Sequence, residues 1–319
     1  LLKKGGKLVV IFAILAAILA FLQNVLAVGL GMAMGMNPLI ALMTGSTPMT
    51  GGHGNAAAFA PMAVQLGASN ALEVALAAAT FGLVSGGMLG GPVANYLIRK
   101  YRLVSEAALE GVKLGERKED KEIDEDLPPG ITIDENRFMN AFSHLLLAMG
   151  LGTIITAACA RVNIAIPSYV GSLFMAAVLR NVIDFTEVCK VYQPETSVLG
   201  SLGLNLFLSL VLMGMRLWQL TYLAVPLMVI LLSQVVLMAL FAMYLTFPIM
   251  GKDYEAAVMA AGNCGFGLGA TPNALANMKA ITERFGTAPS AFVIIPLVGA
   301  LLVDIINTGI IIFFINVLK

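Results

Sequence analysis

The chain has 319 residues, of which 59% are hydrophobic and only 12% are charged. A soluble domain of this size needs about twice that charged fraction to cover its surface, so the composition excludes an ordinary soluble protein. The net charge of zero gives no indication of nucleic-acid binding, and the three scattered cysteines (Cys159, Cys189 and Cys264) match neither a disulfide framework nor a metal-binding pattern.

The apolar residues occur in runs of about 20 or more, long enough for a helix to cross roughly 30 Å of hydrocarbon. We therefore predict an all-α integral membrane protein in the lipid bilayer, with seven full spans and two interrupted segments. The interrupted segments are the glycine-rich stretches 38–65 and 253–280. The predicted spans are 8–34, 70–98, 142–160, 168–185, 198–214, 219–247 and 288–317.

Residues 99–138 differ in composition from the rest of the chain. They contain 8 of the 19 Lys and Arg residues and 11 of the 19 Asp and Glu residues, together with Pro128-Pro129-Gly130. Such a segment is too polar for a bilayer, so we predict a charged cytoplasmic linker. The chain then divides into a first part, 1–98, the linker 99–138, and a second part, 139–319.

The distribution of Lys and Arg predicts the orientation of the spans. Basic residues precede the first span and follow the second, so both of these ends are expected in the cytoplasm. The stretch 38–65 then enters and leaves from the outside. Counting onward along the chain, the stretch 253–280 enters and leaves from the cytoplasm.

The two glycine-rich stretches also have similar surroundings. Each lies between two long spans, and Leu22-Gln23-Asn24 before the first stretch resembles Ser233-Gln234-Val235 before the second. We predict an inverted-topology repeat with two re-entrant segments, an arrangement typical of secondary transporters. The second half has three more spans than the first, so we expect about three further spans before Leu1 and ten in the complete protein.

The first glycine-rich stretch combines Ser, Thr and Gly residues with a proline in an apolar protein. Pro48 removes a backbone donor and the glycines weaken a helix. Irregular backbone at membrane depth requires protein or water to satisfy its polar groups. We predict a re-entrant loop that binds an anionic substrate or a cation, although a packed, kinked helix would have a similar composition. The candidate substrate-binding residues here are Ser46, Thr47, Thr50, Gly51, Gly52, His53, Gly54 and Asn55.

The second stretch has four glycines within residues 262–269, followed by Thr271-Pro272-Asn273. No Gly-Lys-Ser/Thr sequence follows and no strand is expected before it, so it is not a nucleotide-binding loop. With Thr271 as N-cap and Pro272 in the first position, a new helix begins here, and its N-terminus suits a carboxylate. The candidate substrate-binding residues here are Asn263, Gly265, Gly267, Gly269, Thr271, Asn273 and Asn277.

Asp304 is the one carboxylate deep within a predicted span. Such a group costs roughly 2.5–3.5 kcal/mol on insertion scales and is usually functional. Asn307 follows three residues later on the same helix face. We predict that Asp304 and Asn307 bind either Na⁺ or the ammonium group of an amino acid. Gln23 and Gln234 are expected to form hydrogen bonds between helices.

Several long motifs resemble those of the sodium/glutamate symporter family. They are Gly51-Gly52-His53-Gly54, Gly262-Asn-Cys-Gly-Phe-Gly-Leu-Gly-Ala-Thr-Pro272 and Val298-Gly-Ala-Leu-Leu-Val-Asp-Ile-Ile-Asn307. The resemblance implies Na⁺-coupled uptake of glutamate, or a related small anionic amino acid or carboxylate, across a bacterial inner membrane. It also implies Na⁺ as the coupling ion, a homodimer, and an elevator-like movement of the part that holds the substrate.

Three positions depart from the pattern that this resemblance implies. Asn55 and Asn273 stand where Thr is expected, and Asn263 stands where His is expected. Amides in place of hydroxyls and an imidazole change the set of donors and acceptors, and a binding site built for one hydrogen-bond pattern rejects another. The exact carboxylate therefore stays open.

Two other functions are compatible with a polar membrane interior. A channel would need a filter motif, which is not present in the sequence. An intramembrane enzyme using His53, Cys264 or Asp304 would need a nucleophile–base spacing, and none is found. We therefore expect a transporter and not an enzyme.

Overall fold

The computed structural model describes residues 2–105, 134–161, 168–186, 190–214 and 221–319. All regular structure within these residues is helical, which confirms the all-α prediction. The chain divides into two compact units, one formed by Leu1–Leu114 with Arg216–Lys319 and the other by Gly115–Met215. The helices in chain order are α1 (Leu2–Ala33), α2 (Pro38–Leu42), α3 (Ser46–Met49), α4 (Gly52–Gln65), α5 (Ala71–Tyr101), α6 (Glu135–Arg161), α7 (Ser168–Thr186), α8 (Gln193–Gly214), α9 (Ala224–Phe241), α10 (Phe247–Met250), α11 (Tyr254–Leu268), α12 (Thr271–Phe285), α13 (Pro289–Leu297) and α14 (Val303–Leu318).

Four helical stretches among the described residues are long and apolar enough to cross a bilayer. They are Gly6–Ala33, Ala71–Tyr101, Glu135–Cys159 and Thr221–Met250, with lengths of 28, 31, 25 and 30 residues. At a rise of about 1.5 Å per residue, each exceeds the hydrocarbon thickness of roughly 30 Å. The structure is therefore that of a membrane protein.

The remaining predicted spans are helical but are not among these four. The helices α7 and α8 occupy the predicted spans 168–185 and 198–214, and the predicted span 288–317 is divided between α13 and α14. The count of seven spans here, and of ten in the complete protein, stays a prediction.

Helices cover both ends of the predicted linker 99–138. The helix α5 continues to Tyr101 and α6 begins at Glu135. The central residues 106–133 lie outside the described part of the chain, as does Cys189. Cys159 and Cys264 are free thiols.

Two π-helical turns interrupt the long helices of the second half. Ala242–Thr246 joins α9 to α10, and Val298–Leu302 joins α13 to α14. Pro248 explains the first turn, because it has no N–H for the Tyr244 carbonyl and its ring clashes with that carbonyl, so the helix widens. Turns of this kind occur frequently at functional sites.

Small residues allow α5 to pack closely against α11. Gly82, Gly86 and Gly90 recur at four-residue spacing, so they lie on one face of α5. A Cβ on Gly86 would lie 3.2 Å from the Cys264 carbonyl oxygen, and one on Gly90 would lie 2.7 Å from the Ala261 carbonyl oxygen. The backbones of the two helices are therefore in direct contact, which sets the position of α11.

The second unit contains α6, α7 and α8. Its N-terminal helix is capped by Asp134, whose Oδ1 accepts hydrogen bonds from Asn136 N at 2.9 Å and Arg137 N at 3.2 Å. Gly152 of α6 and Gly171 of α7 bring these two helices into backbone contact. The guanidinium of Arg137 lies 5.2 Å from the ring centroid of Tyr192.

Candidate functional site

The first glycine-rich stretch forms three short helices instead of one. The chain breaks at Gly45, between α2 and α3, and again at Gly51, after which α4 begins at Gly52. Gly52 has φ of +61°, a left-handed conformation that strains residues with a Cβ. The glycines thus allow turns that redirect the backbone within a buried segment.

The second stretch consists of two helices, α11 and α12, separated by Gly269 and Ala270. Ala270 is extended, with φ of −156° and ψ of 166°, whereas Gly269 has φ of −145° and ψ of −101°. The predicted N-cap was wrong by one residue, since Ala270 caps α12 and Thr271 is its first helical residue. The helix begins one residue earlier than the cap motif indicated, so Pro272 occupies its second position.

The N-termini of α4 and α12 meet at these two breaks. A Cβ built on Gly52 would lie 3.3 Å from the carbonyl oxygen of Gly269. Neither N-terminus has a side-chain cap hydrogen bond. The first N–H groups of a helix have no partner within it, and they carry the positive end of the helix dipole. Backbone donors of this kind are able to bind an anion.

Gln23 of α1 connects both broken segments. Its Nε2 donates to the Gly267 carbonyl at 2.6 Å, and its Oε1 accepts from the Thr50 hydroxyl at 2.8 Å. The side chain is fully buried. Both halves of the amide are therefore satisfied by residues on the two segments, which fixes their relative position.

Gln234 and Asn24 connect further elements to the first segment. The Gln234 Nε2 donates to the backbone carbonyls of Gln23, at 2.9 Å, and Thr44, at 3.2 Å. The Asn24 Oδ1 accepts from Ser46 N at 2.8 Å. The predicted hydrogen bonds between helices from Gln23 and Gln234 are thus confirmed.

Some of the candidate substrate-binding residues are at least partly exposed on the described part of the chain. His53 Nε2 lies 3.1 Å from the Thr80 hydroxyl oxygen, and that hydroxyl donates to the Leu76 carbonyl at 2.9 Å. With the Thr80 hydroxyl hydrogen directed at the Leu76 carbonyl, His53 Nε2 is assigned as the donor to Thr80. Asn273 Nδ2 donates to the Leu83 carbonyl at 2.7 Å. The accessible candidates are Gly51, Gly52, His53, Gly54, Thr271 and Asn273.

The other candidates are buried beneath this accessible layer. Asn263 Nδ2 donates to the Thr246 hydroxyl at 2.7 Å. Asn277 Nδ2 donates to the Gly86 carbonyl at 2.8 Å and to the Ala261 carbonyl at 3.3 Å. These amides join α11 and α12 to neighbouring helices. The buried candidates are Ser46, Thr47, Thr50, Asn55, Asn263, Gly265, Gly267, Gly269 and Asn277.

The glycines of the second segment pack tightly. A Cβ on Gly265 would lie 2.7 Å from the Ala274 nitrogen, and one on Gly267 would lie 2.7 Å from the Leu19 Cδ2. A Cβ on Gly269 would lie 2.7 Å from the side-chain amide nitrogen of Asn273. Close packing between helices is therefore sufficient to explain these three glycines, without a role in substrate binding.

Asp304 and Asn307 of α14 have different surroundings. Asn307 is fully buried, and its Nδ2 donates to the Ser46 carbonyl at 3.2 Å. Asp304 is exposed. The spacing of three residues places both on neighbouring parts of one helix, but only Asn307 contacts the broken segments through a described hydrogen bond.

The accessible layer presents neutral groups. The sequence contains no Lys or Arg within 38–65 or within 253–278. Lys279 is the first basic residue after the second break. An anion bound at the N-termini of α4 and α12 would therefore interact with backbone N–H groups, hydroxyls, amides and the His53 imidazole.

Four residues of this site were missed by the sequence analysis. Asn24, Thr80 and Thr246 form hydrogen bonds to candidate residues, and Leu83 supplies a backbone carbonyl. Asn24 and Thr246 are polar and buried in otherwise apolar helices, a signal that was available. The role of the Leu83 carbonyl could not be predicted from the sequence, because every residue has a backbone carbonyl.

Long apolar helices together with discontinuous helices that meet at their N-termini are typical of secondary transporters. Comparison with known proteins identifies the family. A family model described as "Sodium/glutamate symporter" matches residues 1–287, and the chain belongs to this family. No solved structure matches the chain.

Named relatives agree with this assignment. The chain is 40% identical over 307 residues to proteins named "Sodium/glutamate symporter" from Escherichia coli and Shigella flexneri. It is 40% identical over 314 residues to the protein of that name from Haemophilus influenzae. Each alignment covers 96% of this chain and 75% of the relative.

Proposed function

We propose that this protein is a Na⁺-coupled symporter of glutamate. Its family membership supports this function, and the meeting of two uncapped helix N-termini is the structural observation that carries it. A glutamate carboxylate at this place accepts hydrogen bonds from the N–H groups of α4 and α12 and lies at the positive ends of both helices.

The accessible side chains determine which carboxylate fits. His53 and Asn273 lie on opposite breaks, and each is oriented by α5 through Thr80 or the Leu83 carbonyl. Both bind the substrate in this proposal, with Gly51, Gly52, Gly54 and Thr271 lining the same site. Because polar groups in such a site are costly to leave unpaired, a substrate lacking the matching carboxylate is rejected.

The arrangement in the membrane follows the repeated order of elements. A long helix, a broken segment and a long helix occur twice, as α1 to α5 and as α9 to α14. We place these as an inverted repeat with two re-entrant segments, seven spans here and ten in the complete protein. The protein functions as a homodimer in the inner membrane and moves its substrate site by an elevator-like motion.

Na⁺ is the coupling ion in this proposal. Binding of Na⁺ raises the affinity for glutamate, and by thermodynamic necessity glutamate raises the affinity for Na⁺ by the same factor. The buried polar side chains around the first segment, including Asn307, supply the oxygen ligands that a hard cation needs. Asp304 remains a candidate for the same ion or for the ammonium group of the substrate.

The test is uptake of radiolabelled L-glutamate into proteoliposomes containing the full-length protein. An inward Na⁺ gradient is compared with an equal K⁺ gradient, and saturable accumulation is expected only with Na⁺. His53→Ala and Asn273→Ala are expected to raise KM by about tenfold or more, because each removes a polar contact to the substrate.

Asn95→Ala is the matched control. The Asn95 amide donates to the Gly91 carbonyl at 2.9 Å within its own helix, so its removal should leave KM unchanged. Uptake of another carboxylate in place of glutamate would change the substrate and keep the coupled mechanism. Flux that neither saturates nor accumulates against a gradient would contradict symport.

A further inference from the structure

Three buried oxygens without hydrogen bonds belong to Ser46 and to two residues that adjoin it. The hydroxyl oxygens of Ser46 and Thr47 and the Oδ1 of Asn307 have no hydrogen-bond partner among the described residues. All three side chains are 0% exposed. Thr47 follows Ser46 in the chain, and Asn307 is hydrogen-bonded to Ser46. A buried polar atom left unpaired typically costs about 1–3 kcal/mol, so three of them on adjoining residues point to an occupant.

Two hydrogen bonds hold the backbone of Ser46 and orient the Asn307 amide. Asn24 Oδ1 accepts from Ser46 N at 2.8 Å, and Asn307 Nδ2 donates to Ser46 O at 3.2 Å. Ser46 is thus held on one side by α1 and on the other by α14. The orientation of the Asn307 amide is determined by this bond, because only its nitrogen can donate to a carbonyl. The Asn307 oxygen is therefore left available beside Ser46.

The burial and chemistry of these oxygens suit a bare monovalent cation. A molecule as large as glutamate would need accessible surface, and these side chains have none. Neutral hydroxyl and amide oxygens are ligands for hard cations, whereas a divalent ion would call for carboxylates. The Asn24 Nδ2 also lacks a partner, but as a donor it cannot ligate a cation, so Asn24 is a positioning residue.

We propose that Ser46, Thr47 and Asn307 form the Na⁺ site. This inference rests on the proposed Na⁺-coupled symport and assigns its ion. Ser46 and Thr47, which the sequence analysis assigned to substrate binding, become ligands of the ion. Asn307 binds this ion without the exposed Asp304. Ser46 lies six residues before Gly52, where the substrate site begins, so an ion here orders α3 next to the glutamate-binding N-terminus of α4.

The experiment measures the thermal unfolding of the full-length protein in detergent against NaCl concentration, with choline chloride keeping the ionic strength constant. A ligand that binds only the folded state raises the midpoint temperature as its concentration increases. Thr47→Val removes one ligand and keeps the side-chain shape, and it should raise the half-effective NaCl concentration by about tenfold or more. Asn307→Ala should have a similar effect, whereas Thr47→Ser should behave like the wild type.

Two further readouts separate an ion ligand from a structural residue. In choline chloride, Thr47→Val should be at least as stable as the wild type, because it removes an unpaired buried hydroxyl. Asn316→Ala, on the same helix as Asn307, should keep the wild-type NaCl dependence, since the Asn316 amide donates within its own helix to the Ile312 carbonyl.

The outcomes distinguish the ion site from the proposed function. If glutamate uptake requires Na⁺ but Thr47→Val and Asn307→Ala keep the wild-type NaCl dependence, these oxygens hold water and the site assignment is wrong. If the wild type shows neither Na⁺-dependent stabilisation nor Na⁺-dependent uptake, the proposed symport itself fails.

Discussion

The Gln23 side chain donates a hydrogen bond of 2.6 Å to the Gly267 carbonyl, although 244 positions separate the two residues in the chain. The same amide accepts from Thr50. One buried side chain therefore holds the two broken segments in a single arrangement, and the facing N-termini of α4 and α12 depend on it.

Replacing Gln23 by Ala should reduce the free energy of unfolding by about 1–3 kcal/mol, because the Gly267 carbonyl and the Thr50 hydroxyl lose their buried partner. Denaturation in detergent measures this change. Gln65→Ala, at an exposed position at the end of α4, is the control and should change the free energy by less than about 0.5 kcal/mol. Equal effects of the two substitutions would contradict the bridging role.

Gly82 and Gly91 lie on the same helix and should respond oppositely to alanine. A Cβ on Gly82 would collide with the Leu268 carbonyl oxygen, which belongs to the backbone and cannot move alone, whereas Gly91 has open space. We expect Gly82→Ala to destabilise the protein by about 1–3 kcal/mol through overpacking. Gly91→Ala should leave it unchanged or stabilise it by about 0.4–1 kcal/mol. The unfolding midpoints of the two variants, measured in parallel, test this difference in stability. A Gly82→Ala variant as stable as the wild type would show that α5 and α11 are not in close contact.

Thr246 and Asn263 should be energetically coupled across the first π-helical turn. Their side chains share a hydrogen bond of 2.7 Å, and both are fully buried. A double-mutant cycle with Thr246→Val and Asn263→Ala should give a coupling energy of about 0.5–1.5 kcal/mol.

The control cycle pairs Thr246 with Thr44, whose hydroxyl donates to the Ala41 carbonyl in its own turn. Because these two residues share no hydrogen-bond partner, their effects should add within about 0.5 kcal/mol. Additivity in the Thr246–Asn263 cycle as well would mean that the π-helical turn is held by other contacts.

Alanine at Gly52 should impair both stability and uptake, while alanine at Gly54 should not affect stability. Gly52 has φ of +61° and lies against the Gly269 carbonyl, whereas Gly54 has ordinary φ and no atom near its Cβ position. A left-handed conformation costs roughly 1–2 kcal/mol for a residue with a Cβ. Thermal unfolding and glutamate uptake of both variants measure the difference, and an unaffected Gly52→Ala would show that the facing of the two breaks tolerates rearrangement.

Much of the fold could be predicted from local patterns. The apolar runs at 8–34 and 70–98 match α1 and α5 closely, because the length of a hydrophobic run determines whether a helix can cross a bilayer. The helix interruptions at the two glycine-rich stretches were also predictable, since glycine and proline act on the backbone around them. The start of α12 was misplaced by one residue, because the cap depends on backbone angles that the motif does not specify.

The sequence by itself determined the all-α membrane class, the two interrupted segments and the family. Only the tertiary structure decided which candidate residues are accessible and which are buried. His53 and Asn273 lie in the accessible layer, whereas Asn263 and Asn277 are buried and form hydrogen bonds between helices. The physical reason is that a hydrogen bond between residues distant in the chain, such as that between Asn307 and Ser46, leaves no periodicity in the sequence and exists only once the helices pack.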